Sequence, residues 1–334
     1  MKTLCYALSA LLLASTGYAQ PCGNYTGPIF LDGFGPPDRS FVEEPAVPLP
    51  PEATPLALTI VAPADGAVVG SETLQVYGSF SGPPAAGVAI NRFPAVQTAA
   101  DFVGLVILEP GENTITVKLT QLTGESITHT RTVNYDPAQQ PDVELSAEIQ
   151  GEHAPIKTGF TLALKPDLGL NPTRLQVDFD GDGSFEVDST NISAPLLHEY
   201  KIPGFFTPTA LVTFDGPPLI TRSATRKMAV LPLPLTRATL CYVFYRMKNR
   251  LIANDIPGAL QSLNSELREE WQAEFEAIGD IVTFGNWAGT VTDGMLGVRL
   301  SELNIRQIIP DFGPSDKSVT LERSLDGVWR ITDM

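Results

Sequence analysis

From Leu56 to Tyr135 apolar and polar residues alternate in short runs: LALTIVAP, LQVYGSF, GVAINRF, FVGLVIL, NTITVKLTQL and ITHTRTVNY. The turn-forming stretches ADG, SGPP, EPGEN and LTGE separate them. Period-2 strands with Gly and Pro turns at regular spacing predict an antiparallel β-sandwich. The pattern repeats beyond Asp142 in GFTLALKPD, RLQVDFD, SFEVD, FTPTALVTF and TRKMAVL. Past Thr236 the period changes. Leu240, Val243, Phe244, Met247 and Leu251 recur at helical spacing and predict an amphipathic helix with one apolar face. Asp255 with Pro257 predicts a short second helix, and Asn264 the cap of a third, in which Leu267, Trp271, Phe275 and Ile278 share a face. After GNWAGT the chain returns to strands in GMLGVRLS, NIRQIIPDF, SVTLERS and GVWRITDM, the last after a turn at Asp326-Gly327.

Prolines punctuate this pattern. EEPAVPLPPEATP (43–55) reads as a stiff, extended linker, and YDPAQQPD (135–142) and LPLPL (231–235) as further breaks, because proline fixes φ and donates no backbone hydrogen bond. The expected organisation is multi-domain: two all-β sandwiches of immunoglobulin-like type at 56–136 and 142–231, then a small α+β domain at 236–334 with helices on a curved antiparallel sheet. Ahead of them lie a leader at 1–19 and a Pro-rich segment at 20–55.

The leader reading rests on MKTLCYALSALLLASTGYAQ: one lysine, an apolar run from Leu4 to Ala14, and small residues up to Ala19. That is the layout of a cleaved secretory signal peptide, too short to span a bilayer, and no later stretch is long enough either. It predicts export to the periplasm, cell surface or medium. A net charge of −16 argues against nucleic acid, which needs a basic footprint. Cys5 would leave with the leader. Cys22 lies in the tail and Cys241 in a helical pattern; they could pair, but the expectation is two buried or idle thiols. His129, His153 and His198 are far apart and show no metal-ligand spacing.

One stretch carries candidate chemistry. QVDFDGDGSFEVDST puts Asp178, Asp180, Asp182 and Gly183 at positions 1, 3, 5 and 6 of a calcium loop. Ser184 would offer its carbonyl, and Glu186 and Asp188 further oxygens. Ser189 stands where a bidentate glutamate is usual, and the flanks read as strands, so the loop is not an EF-hand. The alternative is a tight turn whose aspartates face water. A convex tip offers no opposed carboxylate pair for glycoside hydrolysis. In the third block Tyr242, Tyr245, Arg246, Trp271 and Trp287 could line a pocket, although an aromatic stripe at helical spacing is also what a core requires.

Three resemblances follow from these motifs. VAPADGAVV, VYGSF and LEPGENTITVKL together resemble the immunoglobulin-like module typified by the glucodextranase B domain, an accessory module without catalytic residues. LQVDFDGDGSFEVD followed by LLHEYKIPGFFTPTALVTF is similar to the PKD-type sandwich: His198, Tyr200, Pro203, Gly204 and Phe206 match its second motif, while Val177 stands where that family has tryptophan. The helices and the ending DGVWRI resemble the nuclear-transport-factor-like cone fold, some of whose members are isomerases or dehydratases. The expectation is a non-enzymatic envelope or cell-surface protein. Its sandwiches would serve adhesion, spacing or protein or glycan binding, and its C-terminal domain docking. The alternatives are a small-ligand receptor or isomerase-like enzyme with its site in the third block, and a carbohydrate-binding accessory protein.

Overall fold

The computed structural model describes residues 49–148, 151–166, 168–309 and 313–334. The leader, the disputed Cys22 and most of the Pro-rich segment lie outside them. The described chain is mostly β, in several sheets, with four helices near its C-terminal end.

The first block folds as two sheets facing each other. One orders strands Ala57–Ala62, Thr73–Ser81, Asp101–Ile107 and Val96–Gln97. The other orders Ala67–Val69, Ser126–Tyr135, Gly111–Thr120, Gly87–Ile90 and Phe93–Pro94. Alternation decides which side chains go inward: Val76, Phe102, Val106, Ile115, Val117 and Leu119 are buried between the sheets. The second block encloses its own core of Leu175, Val177, Phe179, Tyr200, Val212 and Phe214.

The third block sets four helices against the antiparallel sheet Thr290–Leu296, Leu300–Ile309, Gly313–Arg323 and Trp329–Asp333. Helix α1 is Leu233–Ile252, α2 Ile256–Leu260, α3 Arg268–Ala277 and α4 Ile281–Trp287. The LPLPL break is in part a helix start, because Pro234 sits in the first turn of α1, where a missing N–H costs nothing. Asp255 caps α2 as expected, accepting from the Gly258 N–H. Asn264 precedes α3 by a turn instead of capping it; the cap position is Leu267, with no side-chain bond. Helix α4, capped by Asp280, was not legible in the sequence.

The predicted single apolar face of α1 needs correction. Every residue from Leu240 to Met247 is buried, as are Lys248 and Leu251. The sheet covers one side, and the others meet α2, α4 and residues from outside the block: Ala85 and Leu122 of the first block belong to the same core, and Leu49 packs against it.

The blocks also bond directly. Gln75 donates to the Lys227 carbonyl (2.8 Å) and accepts from its N–H (2.8 Å). The Lys227 ammonium lies 5.6 Å from the centre of the Tyr77 ring. Arg323 donates to the Ala95 carbonyl and to Gln97 Oε1, both at 2.7 Å. His153 meets the Thr236 hydroxyl at 2.9 Å.

Candidate functional site

The acid loop leaves strand Pro172–Asp178 and returns in Val187–Ser189. Gly181 and Gly183 take φ of +80° and +92°, a region that L side chains avoid. Those two turns fold the loop back on its own acids. Asp178, nearly buried, accepts the Gly181 N–H (2.6 Å) with one oxygen and the Gly183 N–H (2.8 Å) with the other. Asp180 accepts from the Asp182 N–H (3.1 Å), Asp182 from the Ser184 N–H (2.7 Å), and Glu186 from the Phe179 N–H (2.7 Å).

As a result, one oxygen from each of Asp178, Asp180, Asp182 and Glu186 lies within 4.8 Å of the others. Each carboxylate oxygen keeps a lone pair beyond its backbone bond, so the group can act as a hard oxygen set of the kind calcium takes.

Asp188 does not join them. It stands opposite Gln176, two residues back along the strand pair from Asp178. There the Arg174 guanidinium grips both of its oxygens and Gln176 adds a third bond. Hydrogen bonding to Arg174 is the largest cause holding the Asp188 carboxyl below its ordinary range. The register of the ladder therefore removes one of the six residues expected at the loop. Ser184 enters it through its N–H.

Beneath the loop runs a row of rings: Phe160, Phe179, His198, Tyr200 and Phe206, with successive centroids 4.5–5.1 Å apart. His198 is a member of this row. The Tyr200 hydroxyl donates to the Phe179 carbonyl at 2.7 Å. Burial pushes that phenol far above its usual range, and the charges of Asp180, Glu186 and Asp178 push it further.

The pocket expected in the third block divides among several places. Tyr245 accepts the Val291 N–H (3.0 Å) and ties α1 to the sheet. Trp271 packs on Phe275, with ring centres 5.4 Å apart, and Trp287 stands 40% exposed on α4. Only Tyr242 and Arg246 line a common recess, and they share it with Pro83, Ala85, Gln121 and Leu122 of the first block and with Glu52. Glu52 was missed as a functional residue because its stretch reads as linker. Arg246 meets its carboxylate at 3.0 and 3.2 Å and Arg250 at 2.8 Å. Cys241, next to Tyr242, is disulfide-bonded, which corrects the expectation of an idle thiol.

Residues 56–137 match the family described as glucodextranase, domain B, in agreement with the resemblance drawn from the sequence. No curated protein matches the chain. Among solved structures, the chain is similar to the fibronectin(III)-like modules of Clostridium thermocellum CbhA (14% identity, 54% of this chain and 96% of that one, TM-score 0.20). It is also similar to dimeric latent PorU from Porphyromonas gingivalis (12% identity, 54% and 20%, TM-score 0.28). A third is the Bacteroides ovatus mixed-linkage glucan utilization locus protein SGBP-B in complex with a mixed-linkage heptasaccharide (11% identity, 52% and 47%, TM-score 0.18).

Proposed function

We propose that the protein is an exported, non-catalytic binding protein of the bacterial envelope, with blocks at 56–136, 142–231 and 236–334 docked on one another and a calcium ion held by Asp178, Asp180, Asp182 and Glu186. The observation that carries this reading is the convergence of those four carboxylates at a hairpin tip. The acids share one point instead of facing each other across a cleft, an arrangement suited to holding a cation and not to acid-base work on a sugar. The partner is an envelope protein, met by a scaffold whose shape the ion helps to fix.

The isomerase-like alternative needs a base of pKa near neutrality in an apolar pocket. Glu52 stands beside Tyr242, as such a base would. Burial pushes its carboxyl up, but Arg246 and Arg250 together outweigh burial and hold it below the ordinary range, so it is a poor base. A sugar-binding strip is likewise not supported by the first block's aromatics. Phe102 is in the core, Phe80 and Tyr135 pack against it, and the Lys227 ammonium lies over Tyr77, which leaves Phe93 exposed by itself.

The test is calorimetric titration of the mature chain with calcium, beside Asp180→Asn/Asp182→Asn. An incomplete ligand set places Kd at about 10⁻⁴–10⁻³ M. At ~10 mM calcium the ion then stabilises the chain by roughly 1.4–2.7 kcal/mol. The double variant should lose this gain. An equal response to magnesium would point to screening of the acidic surface and sink the site. Pull-down from envelope extract with calcium and with chelator tests the partner.

A further inference from the structure

We propose that the recess lined by Tyr242 and Arg246, with Arg250 reaching the same carboxylate, is a binding site for a small carboxylate, which the protein keeps closed with its own Glu52. The receptor side is built without reference to Glu52. Arg246 is 2% exposed, and its guanidinium is held by the Gly258 carbonyl (2.8 Å) and by Gln261 Oε1 (2.6 Å). Arg250 is held by Asp255 at 2.8 Å. Both cations therefore stay aimed at the same point when the acid leaves. The geometry is two-pronged from Arg246, with a third contact from Arg250, the arrangement that recognises a carboxylate plane. Ala85 and Leu122 wall the recess on the side of the first block, and the low polarity there strengthens the attraction.

The occupant side has a different character. Glu52 sits in a turn between coil stretches, outside any strand or helix, and its bonds are to these two arginines. With it in place the recess is nearly full. Withdrawing it leaves a buried guanidinium without its counter-charge, an expensive state that a carboxylate from solution relieves. Glu52 thus acts as an intramolecular competitor, and any segment that pulls residues 49–55 away opens the site. This inference is independent of the acid loop and of calcium.

Sodium acetate, the fragment lost in Glu52→Ala, is the probe. Thermal midpoints of the full mature chain are compared in acetate and in chloride at equal ionic strength. Wild type should respond alike to both. Glu52→Ala should melt lower in chloride and recover by about 2–4 °C in saturating acetate, and Glu52→Ala/Arg246→Met should lose the recovery. If Glu52→Ala does not fold in chloride, refolding in acetate gives the same readout: recovery supports the site, and failure in both salts overturns it. Glu52→Gln keeps the size and removes the charge. It should bind acetate by saturation-transfer NMR where wild type does not. A folded Glu52→Ala that cannot tell acetate from chloride overturns the proposal.

Discussion

The Tyr200 hydroxyl shows how much a single buried bond can hold. It closes the aromatic row onto the Phe179 carbonyl, at the first residue of the acid loop. Tyr200→Phe removes the donor and leaves that carbonyl unpaired, which should cost about 1–3 kcal/mol in urea unfolding. It should also weaken calcium binding if the loop depends on this floor. Arg226 presents the opposite case. It is only 9% exposed, and its Nε has no hydrogen-bond partner among the described residues. Burial lowers its pKa, with the Glu144 charge opposing. Arg226→Met should leave stability unchanged or raise it by up to roughly 2 kcal/mol, since an apolar side chain does not carry the desolvation penalty. A fall in urea midpoint equivalent to more than about 1 kcal/mol would show that the guanidinium finds compensation elsewhere. At this scale the acid loop was legible, because the Asp-x-Asp-x-Asp-Gly spacing is local. Asp188 was misplaced because its side chain answers to the strand across from it.

Among elements, strand Gly87–Ile90 and the turn at Gly327 meet backbone to backbone across two blocks. A Cβ on Gly87 would lie 2.1 Å from the Gly327 carbonyl carbon. Neither backbone can yield cheaply, so Gly87→Ala should destabilise the full chain by about 3 kcal/mol or more and loosen the Arg323 bonds beside it. The turn with Gly327 was visible in the sequence; its fit against Gly87 was not. The segment carrying Glu52 gives a pH signature. The Glu52 carboxyl is depressed in the folded protein, so its contribution is fully present above the unfolded value of 4.5 and is lost as pH falls through the folded value. Wild type should therefore lose more stability than Glu52→Gln on acidification from pH 5, while the two should run parallel from pH 6 to 8. Parallel acid limbs would show that the pair contributes nothing.

For the whole molecule, shared cores change what a fragment can do. Residues 236–334 taken alone would lose Ala85 and Leu122 from their core, Leu49 from its edge and Glu52 from Arg246. Their thermal midpoint should lie well below that of the full chain, and the full chain should melt without a separate early transition from this block. Calorimetry of both distinguishes this from a string of independent beads. The disulfide at Cys241 adds a covalent tie. Thiol titration of the denatured chain should find two more thiols after reduction than before. Reduction should lower stability by roughly 2–4 kcal/mol.

Period alone determined where strands give way to helices. Local spacing determined the acid loop, and the motifs of residues 56–137 pointed to the family that matches there. Those features depend on neighbours a few residues apart. The tertiary structure decided everything that depends on distant neighbours. The stretch 240–248 of helix α1 is buried on all sides because two loops of the first block and a stretch of apparent linker close over it. Glu52 matters because, among the described residues, it is the acid that pairs directly with the buried Arg246, almost two hundred positions later. A buried charge has to be compensated by whatever the fold brings within reach, and the distance along the chain does not enter that requirement.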